Sequence, residues 1–166
     1  ESLADIGQWW NTDTAFAKAI LWTMVFEGLG LGCGSGPLTG RYVPPIGGPL
    51  YFLRPGTIAL PLVRQLGDRR TPLHVLLYAT LVSVLFWGLL AAEIGSVHLL
   101  PIVFLVPLLG LLDRTLFLVF RSEHYLSSVI CLLAAGDAIA GNKVVWLAIW
   151  LWAATSKLNR HFPAVM

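Results

Sequence analysis

The stretch GSGPLTGRYVPPIGGPLYFLRPGTIALPLVRQLGDRRTP, Gly34 to Pro72, decides how the rest of the chain is read. It carries Arg41, Arg54, Arg64, Arg69 and Arg70 against one acid, Asp68, and apolar runs too long for a soluble domain flank it on both sides. Short loops rich in Lys and Arg stay on the cytoplasmic side of a membrane, so this connector orients everything else. Seven of the ten prolines fall in it (Pro37, Pro44, Pro45, Pro49, Pro55, Pro61 and Pro72), which excludes a continuous helix or a central strand. Structureless connections of this length are uncommon unless they are functional or disordered. Tyr42, Leu50, Tyr51, Phe52, Leu53 and Leu60 are too apolar for disorder. The expectation is an ordered, irregular cap.

Composition agrees with that setting. Of 166 residues, 57% are hydrophobic and 12% charged, and the mean hydropathy is +0.75, whereas soluble domains are about 25% charged. The class is therefore an all-α, polytopic membrane helix bundle. The apolar runs recur and no basic leader precedes the first, so a cleaved signal peptide does not explain them. The chain opens on Glu1 and stops just after an apolar run, and both ends read as cuts from a longer protein. The net charge of +2 is small, but the bases collect on one side. That favours membrane orientation, or contact with anionic lipid, over nucleic acid. Cys33 and Cys131 have apolar neighbours and no CxxC spacing, which suits packing residues better than a disulfide or metal pair.

Residues 1–13 read as an outer lead-in, with Trp9 and Trp10 at headgroup level. Five spans follow at about 14–32, 73–92, 98–112, 116–136 and 144–160, around the cytoplasmic connector 34–72. Lys18 lies near the outer end of the first span and can snorkel, whereas Glu27 lies two-thirds of the way across and needs a partner or a proton. Gly28, Gly32 and Gly36 form an i,i+4 small-residue face that lets another helix approach closely. A phosphate-binding reading of these glycines is weak, since no strand precedes them and no GK[ST] follows. Pro101 and Pro107 are expected to kink the third span. The fourth is ambiguous. Either it starts near Leu116 and carries Arg121, Glu123 and His124 within the inner leaflet, or a short surface helix precedes a thin span; the first is preferred. Residues 137–143 (DAIAGNK) read as an outer turn. This threading puts nine of the eleven Lys and Arg inside and only Lys18 and Lys143 toward the outside, with the N-terminus out and the C-terminus in.

Ionisable residues at membrane depth are costly, so each is a functional hypothesis. Asp113, Arg114, Arg121, Glu123, His124, Lys157, Arg160 and His161 all map to the inner face. Two readings compete. In one, Arg54, Arg69, Arg70, Arg121 and Arg160 cradle an anionic headgroup or phosphorylated lipid carrier, with Glu123, His124, Lys157 and His161 as candidate catalytic groups. In the other, Glu123–Lys157 and Asp113 with an arginine are buried ion pairs of a scaffold for partner subunits. His124 and His161 with Glu123 or Asp113 would suit Zn or Fe, yet no HExxH or clustered His spacing supports a metal. No cofactor is indicated. His74 and His98 stand alone at helix ends and read as interfacial. No G-x-S-x-G, P-loop or Ser-His-Asp order is present.

FAKAILWTMVFE (Phe16–Glu27), GPLTGRYVPPIGGPLYFLRPGT (Gly36–Thr57), GDRRT (Gly67–Thr71), RSEHY (Arg121–Tyr125) and KLNRHFP (Lys157–Pro163) together resemble an uncharacterised family of bacterial multi-pass transmembrane proteins, a domain of unknown function. The resemblance implies members longer at both ends and no known activity or substrate; the reading of the chain as a whole places it in a bacterial inner membrane. In helical layout alone the chain is similar to vitamin K-dependent carboxylase-like membrane domains, which implies a lipid-soluble substrate.

Overall fold

A computed structural model describes residues 3–10, 12–32 and 49–158. Among them the fold is all helical, and the only β pairing is one isolated bridge, Ile58 with Arg69. A 3-10 turn, Leu3–Asp5, leads into α1 (Ile6–Trp9) and α2 (Asp13–Gly28). After α3 (Pro49–Phe52) and a second 3-10 turn, Arg64–Leu66, come α4 (Pro72–Leu90), α5 (Ser96–Leu112), α6 (Arg114–Val119), α7 (Ser122–Ala134) and α8 (Ala138–Lys157). Among the described residues two helices, α4 and α8, are long and apolar enough to cross a membrane, and α5 is a shorter apolar helix.

Capping chemistry explains most boundaries. Thr12 accepts from the Ala15 amide to start α2, and Asp137 accepts from the Ala140 amide to start α8. The segment expected as an outer turn, 137–143, is thus the first turn and a half of α8. At the far end of α2, Gly30 takes φ +74, Gly30 N–H donates to Glu27 O, and Leu31 N–H donates to Phe26 O. These two bonds are a Schellman stop, which needs a residue able to adopt left-handed backbone. The helix therefore ends before Gly32, and the expected small-residue face does not form. Gly28 does meet a neighbour: an added Cβ would lie 2.1 Å from Phe120 Cε1. Gly32 instead sits on the carboxylate of Glu27. Gly36 lies outside the described residues.

The segment 116–136 is likewise not one helix. Asp113 closes α5 and caps α6 through the Thr115 amide, and the chain then breaks at Phe120–Arg121, where Arg121 takes φ 46, ψ 45. A left-handed non-glycine costs about 1–2 kcal/mol, so packing must hold it there. Phe120 supplies that packing by filling the core beside Tyr78, 5.8 Å between ring centroids. Pro101 and Pro107 stay inside α5, which runs unbroken to Leu112.

The helices pack as antiparallel neighbours, α4 on α5 and α7 on α8, with α2 against α4 and α7. Leu21, Met24, Val25, Tyr78, Leu81, Leu85, Ile102, Leu109 and Val129 form the buried centre. Tyr78 Oη donates to Gly28 O at 2.9 Å and so joins the C-terminus of α2 to the second turn of α4. The C-termini of α2 and α5 and the N-termini of α4 and α7 consequently share one end of the bundle, where residues 49–72 of the connector also sit.

Candidate functional site at the polar end

The second half of the connector docks on the α5–α6 junction through backbone. Leu62 N–H donates to Leu111 O, Arg114 N–H donates to Leu60 O, and Leu60 N–H donates to Asp113 Oδ1. Gly67, at φ +81, turns the chain so that Arg70 N–H reaches Thr57 O and Ala59 N–H reaches Asp68 O. The expected irregular cap is therefore ordered over 49–72, because the core end offers it the Leu111 carbonyl, the Arg114 amide and the Asp113 carboxylate.

That docking buries Arg70. Its Nε and Nη2 donate to Asp113 Oδ2 at 3.2 and 2.5 Å, Nη1 donates to Thr57 Oγ1 at 2.6 Å, and Nη2 also reaches Thr115 Oγ1. Asp113 Oδ1 accepts from Leu60 N–H, Thr115 N–H and Thr115 Oγ1–H. Both side chains are fully removed from solvent. The guanidinium also lies 5.3 and 5.1 Å from the ring centroids of Tyr51 and Phe52, in cation–π range. A buried pair survives desolvation only with such complete hydrogen bonding. Arg70 is thus a structural latch and is not available to a headgroup. His74, read from sequence as interfacial, is buried beside it. Its Nδ1 accepts from Thr71 N–H, and its Nε2 lies 3.2 Å from Leu112 O, so it ties the start of α4 to the end of α5.

Glu27 finds its partner in Arg121, whose Nε lies 3.0 Å from Oε1. A carboxylate in the last turn of a helix opposes the macrodipole, and the guanidinium offsets that. The second oxygen, Oε2, is buried and has no hydrogen bond among the described residues. Arg121 is half exposed, and the left-handed backbone at the α6–α7 break delivers it to Glu27. Arg121 and His124, expected on one helix face, are separated by that break.

The remaining polar residues gather along α7 and α8. Glu123 and His124 in the first turn of α7, Ser127 one turn on, and Val145, Ala148, Ile149, Trp152 and Ala153 of α8 line a groove of ≈ 770 Å³. His124 Nδ1 lies 3.3 Å from Glu123 Oε1, but off the angle a hydrogen bond needs, and has no other partner among the described residues. Ser127 Oγ donates to Glu123 O. Lys157 is exposed one turn beyond Ala153 on the same side of α8. The expected Glu123–Lys157 ion pair is not among those of the described residues, whereas the Asp113–arginine pair is. Arg54 is exposed, and Arg69 is exposed with Nη1 on Gly56 O. Arg160 and His161 lie outside the described residues. Among the described residues no three His, Cys, Asp or Glu come together as metal ligands.

Sequence reasoning did not single out Thr57, Thr115, Tyr51 and Phe52 as the cradle of Arg70. The signal for the two threonines was present, since each stands next to the docked segments as a small hydroxyl in an apolar context.

An all-helical bundle, apolar to its surface on α4 and α8 and latched by a buried ion pair at one end, is the form of a membrane-embedded protein. The whole chain, residues 1–166, matches the family described as transmembrane protein of unknown function (DUF3556) and belongs to it. No curated protein and no solved structure matches it.

Proposed function

We propose that this chain is a multi-pass protein of a bacterial inner membrane that binds the headgroup of a lipid or amphiphile at its cytoplasmic end. In this reading α2, α4, α5, α7 and α8 cross the bilayer in alternation, and the arginine-bearing connector faces the cytoplasm. The observation that carries it is the α7–α8 groove. Its wall is apolar along α8, as an acyl or isoprenoid chain requires, and its polar residues stand at the end nearest the connector. His124 and Glu123 offer a proton donor and acceptor to a headgroup there, and Lys157, Arg54 and Arg69 stay exposed on the same end to meet its negative charge.

The test is a map of the protein in native membrane, together with His124→Ala and Lys157→Ala. Ordered amphiphile density in the groove, weakened by both substitutions, supports the reading. A groove closed by protein, or ligand retention unchanged in both variants, refutes it. A second reading, an accessory subunit of a larger membrane complex, is favoured by the outer face of α8. There Val144, Leu147, Trp150 and Leu151 are each at least 65% exposed. A broad protein contact along that face in the same map selects this reading.

A further inference from the structure

On α8, Lys143, Trp146, Leu147 and Trp150 recur at i, i+3, i+4 and i+7, so the four share one helix face. With Phe16 of α2 they line a crevice of ≈ 450 Å³, within the size range of small-ligand sites. None of these residues lines the α7–α8 groove. The crevice runs from the first turn of α2 along α8 as far as Trp150, with Lys143 at the end away from the connector.

Its chemistry is one-sided. Among the described residues Lys143 is the only ionisable group of the lining, and it makes no ion pair there. The acid that opens α8, Asp137, is engaged in capping through the Ala140 amide at 2.8 Å. Trp146 is fixed against Tyr125, 6.0 Å between ring centroids, whereas Leu147 and Trp150 project outward. From Lys143 to Trp150 the face extends about 10 Å along the helix, roughly a third of the ~30 Å hydrocarbon thickness. A cation at the end of an aromatic-walled apolar trough matches a ligand with an anionic head and a hydrocarbon tail, and in a transmembrane family the surrounding medium supplies one.

We propose that the α2–α8 crevice binds one anionic phospholipid from the leaflet around the first turns of α8, its headgroup on Lys143 and one acyl chain against Phe16, Trp146 and Trp150. The site rests on membrane residence and not on the ligand proposed for the α7–α8 groove.

The experiment is native mass spectrometry of the full chain released from micelles, titrated with phosphatidylglycerol or phosphatidylcholine of identical acyl chains. One lysine near the surface is expected to favour the anionic lipid about five-fold. Lys143→Arg should keep that preference, Lys143→Glu should abolish or reverse it, and Trp150→Ala should weaken retention of both lipids. Lys143 is exposed, so all Lys143 variants should unfold at the parent temperature. Equal retention of the two lipids by the parent, or an unchanged preference in Lys143→Glu, overturns the proposal. So does a Leu147→Cys variant, in a background lacking the native cysteines, that cross-links to a second copy or to another protein in native membranes.

Discussion

Asp113→Asn is the sharpest test of what holds the connector to the bundle. The substitution keeps a side-chain oxygen for the Leu60 and Thr115 amides, but it removes the negative charge that faces Arg70 at the two short contacts on Oδ2. Among the described residues Arg70 then keeps, fully buried, the Thr57 and Thr115 hydroxyls and two aromatic faces around it. An uncompensated buried charge costs about 3–5 kcal/mol. For a chain of this size that lowers Tm by roughly 6–20 °C. Arg70→Met together with Asp113→Asn removes both charges and should recover at least half of the loss, since replacing both members of a buried pair is often close to neutral. The assay is intrinsic tryptophan fluorescence on heating in micelles, paired with limited proteolysis at Arg54 and Arg69, which should be cut faster in the single variant as the connector lifts. A single variant melting within about 2 °C of the parent, or a double variant less stable than the single, would refute the latch.

Gly28→Ala should destabilise by about 1–3 kcal/mol, because its methyl meets the Phe120 ring; the same thermal assay should show Phe120→Leu restoring part of that loss. Arg121→Val should cost about 1–3 kcal/mol, as a β-branched residue is forced to positive φ. Arg121→Gly should stay within about 1 kcal/mol of the parent, because relief of backbone strain offsets a half-exposed ion pair worth up to ~1 kcal/mol. Single cysteines at Gln65 and Ser96, both exposed, should react with an impermeant reagent from opposite sides of the membrane. Labelling of both from one side contradicts the proposed threading.

Hydropathy and charge distribution act additively along a chain, which is why the class of this protein, the position of its long helices and the polar character of one end can be read without coordinates. Runs such as Leu73–Leu90 and Val97–Leu112 need no partner to declare themselves apolar, and a cluster of arginines between them is basic wherever it folds. Two segment ends differ from the sequence expectation, the glycine face of Gly28, Gly32 and Gly36 and the outer turn 137–143. Gly30 stops α2 through a left-handed turn instead of extending a packing face, and Asp137 starts a helix instead of closing a turn. Pairing and burial are different in kind, because they depend on residues far apart in sequence. Among the connector's arginines only the fold could select Arg70, by turning the chain at Gly67 and bringing up an acid 43 residues away. The tertiary structure likewise gave Glu27 to Arg121 by breaking a helix at a strained residue, and set His124 in a groove whose wall belongs to another helix. An ionisable side chain becomes a latch or a ligand site according to what its neighbours leave unsatisfied, and those neighbours are assembled only when the helices pack.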